Sequence, residues 1–574
     1  MPTLGCRLSR ADTARRRLLS WLDDPSPGRG VHFAGAEDAW EFWSYQRLAA
    51  GVRGLSAALV HSGIRPGDVV AVVADGGPGF VTALFGAMHC GATVSPLPPP
   101  TAFGDRELYA QQIKASFRAA EPAIVLVEAP YERVVRGLAR RAGVAAVEDL
   151  GTFTDSSSAA PGDGVSGPAL VQFTSGSSGR SRAIGISAEA LAANVAAIRD
   201  WLGMDGSQAT ATWLPTYHDM GLTGCLITPV VDGSDVWLMS PRQFVRDPLR
   251  FLRCFDRGGE QAVRHTAMPT FGLAHVAARV RPGDLAGLDL TQVRSVIIGA
   301  ERIDPDAVRR FTELLGPHGL DAGALLPAYG LAEATLAVTG LRRGRRLRAL
   351  TFVPSSLSTG LRVETAGTSG LTLIGCGTPM AGVVVDVEDS DGRTLSAGTV
   401  GEIAVSGMSV GNGYLGDLDA ATGSLTAFVE GKVRTGDAGF LLDGELFVIG
   451  RLGDSLKVRA RTVFAEDLEA AIAAEGVPPQ RFATALGVRE GRSTAVAVIE
   501  RARPEWLCAA DRVLRRSAEG AEVVTVDAPR GRIPRTTSGK PQRARLWQMF
   551  GARQPADGPA GGRPRQLSTG DSDD

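Results

Sequence analysis

The segment LVQFTSGSSGRSRA at 170 to 183 runs an apolar stretch directly into a loop of glycines and hydroxyls, a composition suited to holding phosphate. Gly176 and Gly179 permit backbone geometries that aim N–H groups at an anion, and the hydroxyls of Thr174, Ser175, Ser177 and Ser178 add donors. The pattern GxxxxGK[ST] is absent, so the segment is not a P-loop. Taken alone, a Ser/Gly cluster more often means a surface turn. A second signal lies in the basic residues. Lysine occurs only at 114, 432, 457 and 540 among 61 basic side chains, which leaves 57 arginines. A GC-rich coding bias accounts for that imbalance, and it makes each surviving lysine a candidate for chemistry that a compact ammonium performs and a planar guanidinium does not.

TSGSSGRSR resembles the TSG(S/T)(S/T)GxPK loop of the adenylate-forming enzymes, the superfamily of acyl-CoA synthetases, peptide-synthetase adenylation domains and luciferases. Further segments match that superfamily in its expected order, over about residues 40 to 550. The resemblance implies ATP and Mg²⁺, with the β- and γ-phosphates held by residues 174 to 179. WLPTYHDMG at 213 to 221 resembles the motif at the acyl tunnel, which implies His218 beside the reacting carboxylate, and IGAERI at 298 to 303 resembles the loop lining adenine, which implies Gly299, Ala300 and Glu301. AYGLAEAT at 328 to 335 resembles the motif whose aromatic packs on adenine and whose Glu holds Mg²⁺, which implies Tyr329 and Glu333, with Gly330 beside them in nucleotide binding. A hard cation that bridges phosphate oxygens typically takes only one or two protein carboxylates. RTGDAGF at 434 to 440 and GRLGDSLK at 450 to 457 supply Asp437 and Arg451 to the ribose, with Gly453 at the hinge. IPRTTSGKPQR at 533 to 543 resembles the C-terminal lysine motif and assigns Lys540 to catalysis. Attack of a carboxylate on the α-phosphorus builds negative charge, which a mobile ammonium stabilises without any base.

Within the superfamily the wording resembles the fatty acyl-AMP ligases. WLPTYHDMGL, YGLAEATL, MPTFGLAH at 268 to 275 and CGTP at 376 to 379 are similar to that branch, and an extra stretch at 341 to 371 stands where the branch carries an insertion that disfavours CoA. The expected reaction activates a fatty-acid-like carboxylate to acyl-AMP and passes the acyl group to the phosphopantetheine thiol of an acyl carrier protein. No carrier motif follows Lys540, so the carrier is expected to be a separate protein. Several positions depart from the pattern. Ser181 and Arg182 replace Pro and Lys, Gly453 replaces a charged hinge residue, Ala460 replaces a glycine, and Lys457 stands where the branch has an apolar residue, which makes it a candidate for the second half-reaction. On sequence alone an acyl-CoA ligase and a catalytically silent adenylate-binding relative stay open.

The elements that must position these residues read as α/β. From 45 to 100, helical stretches alternate with β-branched runs such as DVVAVVAD, the pattern of βαβ units on a parallel sheet. TDSSSAAPGDGVSG at 154 to 167 reads as a loop, and short Gly-broken strands near 391 to 450 suggest a β-rich subdomain. At 574 residues the chain exceeds one core. The expected architecture is a large multi-subdomain body at 1–450, parallel-sheet α/β layers plus the β-rich part. A small mobile α+β domain follows at 451–550, then a disordered tail at 551–574. A net charge of -1 gives no bulk attraction to nucleic acid, and no apolar run suffices for a membrane span. Six scattered cysteines without a CxxC pair, and an N-terminus lacking an apolar signal region, point to the cytoplasm and to no structural zinc.

Overall fold

A computed structural model describes residues 9–100, 106–144, 146–150, 167–174, 182–256, 262–367, 370–416, 425–458, 461–536 and 539–551, apart from the side chains of 108 and 461. The phosphate-loop residues expected at Ser175, Gly176, Ser177, Ser178 and Gly179, the departures at Ser181 and Ala460, most of the 154–167 loop and the tail beyond 551 lie outside the described residues.

The architecture is mixed α/β, as the alternating pattern implies. Two sheets among the described residues are mostly parallel. In one of six strands, Ala146–Asp149, Ile124–Val127, Val69–Val73, Thr93–Leu97 and Leu170–Thr174 run parallel in that order, and Arg182–Ile186 closes the edge antiparallel. Val69–Val73, all β-branched except Ala71, is buried on both faces, as a central parallel strand requires. The other sheet has nine strands, in which Leu325–Gly330, Ser295–Ile298, Val263–Met268, Ala209–Thr212, Val236–Leu238 and Gly30–Ala34 are neighbours in parallel.

Helices cover these sheets, and their ends are written locally. Helix Ala188–Leu202 starts where the Ser187 side chain accepts from the Ala190 amide at 3.1 Å and stops at Gly203, whose φ of 58° is left-handed. A third, antiparallel sheet contains Val383–Glu388, Gly401–Gly407, Lys432–Leu442 and Glu445–Arg451. This is the β-rich part.

Beyond the turn at Leu452–Asp454 the chain builds a core of its own. Strands Phe482–Arg489, Arg492–Glu500 and Glu522–Ala528 form one sheet, and helices Ala465–Ala474 and Pro504–Ser517 bury Leu468, Ile472, Val513 and Leu514 with Ala495, Ala497 and Ile499. The 341–371 stretch forms part of a hairpin, Ala349–Phe352 with Leu371–Ile374. No described helix is long and apolar enough to cross a membrane.

Candidate active site

Four adjacent parallel strands, Leu325–Gly330, Ser295–Ile298, Val263–Met268 and Ala209–Thr212, deliver their following loops to one edge of the nine-stranded sheet. Crevices outside the carboxyl ends of such strands are where open α/β sheets bind ligands. His218, Gly299, Ala300, Glu301 and Glu333 sit in these loops, and Tyr329 and Gly330 at the end of the strand Leu325–Gly330.

After Ala209–Thr212, the loop places His218 and Asp219 side by side, with Nδ1 2.5 Å from Oδ1. Asp219 also caps the π-helical segment Met220–Ile227 by accepting from the Met220 amide at 2.7 Å. Burial alone would raise the Asp219 carboxyl, but His218, the Met220 amide and Lys540 together hold it below the ordinary range.

After Ser295–Ile298 comes the 299–301 loop. A Cβ on Gly299 would stand 2.9 Å from the Ala328 carbonyl oxygen of the neighbouring strand, and Ala300 takes a left-handed φ of 67°. That twist presents the Ala300 carbonyl, which accepts a hydrogen bond from Lys540 Nζ. Glu301 turns the other way and accepts from the Phe271 amide at 2.9 Å. Although the residue keeps solvent access, desolvation by the surrounding loops raises its carboxyl, and the Phe271 amide and Lys540 work against that rise.

After Leu325–Gly330, the turn Ala332–Ala334 carries Glu333, which is 4% exposed. The next residue, Thr335, has φ 69° and ψ -59°, and the Leu336 amide donates to the Ala334 carbonyl at 2.8 Å. This is a γ-turn of the rare, strained hand. The Thr335 hydroxyl ties it down by donating to the Ser409 carbonyl at 2.7 Å. Glu333 Oε1 accepts from the Tyr414 hydroxyl at 2.8 Å and lies 3.7 Å from Arg182 Nη2. Burial raises the Glu333 carboxyl, which Tyr414, Arg451 and Arg182 partly offset. Among the described residues no group of three or more His, Cys, Asp or Glu converges on a metal position. Glu333 is a hard oxygen donor of the kind of which Mg²⁺ takes one or two from protein, and phosphates arriving with the ion would supply other ligands.

Asp437 and Arg451 face each other on paired strands, with Arg451 Nε 2.9 Å from Asp437 Oδ1. The Tyr329 hydroxyl donates to Asp437 Oδ2 at 2.6 Å, and Arg451 also reaches the Thr426 hydroxyl at 3.1 Å. Asp437 holds the Arg451 guanidinium firmly protonated, and burial raises the Tyr329 hydroxyl far above its ordinary range. A carboxylate accepts about four hydrogen bonds, so Asp437 has capacity left for two hydroxyls.

The structure thus brings Lys540, His218, Ala300 and Glu301 together at one place, and at another brings Tyr329 and Glu333 of the nine-stranded sheet against Asp437 and Arg451 of the antiparallel one. Thr174 ends the strand leading into the 175–181 loop, and its buried Oγ1 has no hydrogen-bond partner among the described residues, as an open phosphate donor would. Gly453 is exposed in the turn Leu452–Asp454, and Lys457 is exposed on Ser455–Val458. The sequence did not single out Tyr414, the hydroxyl partner of Glu333. It stands 81 residues from Glu333 in a Gly-rich stretch, and no spacing signals the contact.

A strand end leading into a Ser/Gly loop, a buried carboxylate and a lysine ammonium reaching the end of a parallel sheet are the features expected of an adenylate-forming ligase. The AMP-binding enzyme family matches residues 26–415. The 4-hydroxyphenylalkanoate adenylyltransferase of Mycobacterium tuberculosis is 33% identical over 516 residues, covering 83% of this chain and 81% of that one. A putative fatty-acid–CoA ligase of the same organism is 30% identical over 522 residues, covering 85% and 88%. A structure from work on fatty acyl-adenylate ligases of E. coli and L. pneumophila superposes with a TM-score of 0.82 at 26% identity, covering 93% of this chain and 97% of the other. The chain belongs to the AMP-binding enzyme family, within the adenylate-forming superfamily.

Proposed function

We propose that the protein activates a fatty-acid-like carboxylate with Mg·ATP and passes the acyl group to the phosphopantetheine thiol of a separate acyl carrier protein. The observation that carries the first half is the reach of Lys540 from the small domain to the Ala300 carbonyl, close enough for its charge to act on Asp219 and Glu301. In the reaction, a carboxylate oxygen attacks the α-phosphorus and the bond to pyrophosphate breaks. Lys540 sits where its ammonium offsets the charge that builds. Thr174 and the following loop, with Ser175, Gly176, Ser177, Ser178 and Gly179, hold the phosphates. Glu333 holds Mg²⁺, which neutralises phosphate charge when bound. Tyr329 and Gly330 take adenine with Gly299, Ala300 and Glu301, and Asp437 and Arg451 take the ribose. His218, kept in place by Asp219, faces the carboxylate.

The small domain, 451–550, then turns about Gly453, which withdraws Lys540 and admits the thiol. Thiolate attack on the acyl carbon releases AMP, with Lys457 as the candidate lysine of this step. The carrier-protein acceptor is supported by the 341–371 stretch. Its Phe352 and Leu357 share a core with Phe440, Phe447 and Phe464, and the Thr462 amide donates to Ser358 Oγ at 3.2 Å. These contacts resist free rotation of the small domain. The similarity to putative fatty-acid–CoA ligases favours CoA as a second reading, and the 4-hydroxyphenylalkanoate relative adds arylalkanoates to the acids to try.

The test is carboxylate-dependent pyrophosphate release across a panel of aliphatic and arylalkanoic acids, with Lys540→Ala as control. Turnover with at least one acid, lost in Lys540→Ala, is the expected result. An equally active Lys540→Ala protein overturns the assignment. CoA and a phosphopantetheinylated carrier protein, compared as acceptors, decide between the two readings.

A further inference from the structure

Arg302 follows directly on the loop that receives Lys540, and its guanidinium pairs with Asp467 of helix Ala465–Ala474, across the seam between body and small domain. The two side chains are 16% and 28% exposed, so the pair is partly withdrawn from water. Asp467 stands in the first turn of its helix. On the same helix Glu466 Oε1 and Glu469 Oε2 hold Arg543 at 3.0 Å and 2.7 Å, and Arg543 also reaches Asp454 Oδ2 of the hinge turn at 3.0 Å.

Arg543 lies three residues beyond Lys540, on a segment that is itself tightly closed. The Thr536 amide donates to the Lys540 carbonyl at 2.8 Å, the Lys540 amide donates to Thr536 Oγ1 at 3.1 Å, and the Gln542 amide donates to the Pro534 carbonyl at 2.8 Å. An ionic path therefore runs from Arg302 through Asp467 and its helix to Arg543, and from there to both the lysine segment and the hinge. The links inside the small domain travel with it as a unit. The link at Arg302 does not, because a rotation that withdraws Lys540 from Ala300 also parts Arg302 from Asp467.

We propose that the Arg302–Asp467 pair is a latch: it positions the small domain with Lys540 in the site, favours the adenylation half-reaction, and must break before the acyl group is transferred. Arg302 acts through the small domain and is a positioning residue, not a catalytic one. The proposal rests on the reading of the protein as a two-step enzyme.

The experiment uses the full chain as Arg302→Ala, Asp467→Ala and the reversed pair Arg302→Asp with Asp467→Arg. Hydrogen exchange of the ATP-free proteins should be faster at 300–303 and at 465–470 in both single variants, and restored in the reversed pair. Acid-dependent ATP–pyrophosphate exchange should fall about fivefold in the single variants and recover in the reversed pair. Transfer from preformed acyl-AMP to the thiol that the wild type accepts should hold or rise. Equal losses in both half-reactions, unchanged hydrogen exchange, or no recovery in the reversed pair would overturn the latch. Altered hydrogen exchange beside a wild-type protein that turns over no acid would instead overturn the two-step reading and leave the contact standing.

Discussion

Arg182 and Glu333 form a buried ion pair, Nη2 to Oε1 at 3.7 Å, with only 6% and 5% of the two side chains exposed. The guanidinium carbon sits 3.8 Å from the centre of the Tyr414 ring, and Nη1 donates to the Thr426 carbonyl at 3.0 Å. A planar guanidinium can stack, donate sideways and face a carboxylate at once. A lysine ammonium cannot do all three. Replacement of the superfamily's lysine by arginine is thus accommodated by a specific aromatic partner.

Tyr414 is the neutral member of this group, and Tyr414→Phe removes its hydrogen bond to Glu333 without touching either charge. The Glu333 carboxyl, already raised by burial, should then rise further. On the proposed role of Glu333, the Mg²⁺ concentration for half-maximal pyrophosphate release should increase roughly three- to tenfold. The increase should be larger at pH 6 than at pH 8, because the protonated carboxyl binds no cation. Mg²⁺ titrations at the two pH values check it.

Gly330 has no room for a side chain. A Cβ there would stand 1.9 Å from the Leu336 carbonyl oxygen, a backbone atom held across the register shift between the paired strands. Gly330→Ala should cost about 3 kcal/mol or more, since the strand that carries Tyr329 must move. Urea unfolding measures it, and a loss under 1 kcal/mol would contradict the geometry.

Glu466 gives a pH dependence of defined sign. Burial pushes its carboxyl up to about 7 despite Arg543, and its Oε2 has no hydrogen-bond partner among the described residues. The folded value stands above the ordinary one of 4.5, so between them the native state binds more protons than the unfolded chain. Stability contributed by this site therefore falls as pH rises from 4.5 toward 7. In Glu466→Gln that decline should be absent, and the variant should gain on the wild type by on the order of 1–3 kcal/mol between pH 5 and pH 8. Denaturant unfolding at the two pH values tests the sign.

Phe352 joins the 341–371 stretch to the strands that carry Asp437 and Arg451. Its ring centre lies 5.2 Å from that of Phe440 and 5.8 Å from that of Phe447, and the side chain is fully buried. Phe352→Ala should cost about 3–5 kcal/mol by the cavity it leaves. The milder Phe352→Leu should keep the fold, loosen this anchor and raise thioester formation with CoA relative to the wild type. Calorimetry and a CoA assay read the two effects.

The alternating apolar periods of residues 45 to 100 were enough to foretell parallel layers, because a strand buried on both faces must be apolar throughout and its crossover helix must be amphipathic. The motifs at 213 to 221, 298 to 303 and 328 to 335 were legible through their resemblance to the adenylate-forming enzymes, because each is a continuous stretch of chain. What sequence could not reach is side-chain meeting across distance. Tyr414 and Arg182 reach Glu333, Arg302 reaches Asp467, and Phe352 reaches Phe447 only because sheets and small domain stack as they do. Sequence by itself determined the parallel layers, since period and turn residues are local properties, and its family resemblance marked the segments at the strand ends. Tertiary structure decided which charges neutralise one another and where Lys540 comes to rest, since Coulomb and packing forces depend on separations that chain order does not encode.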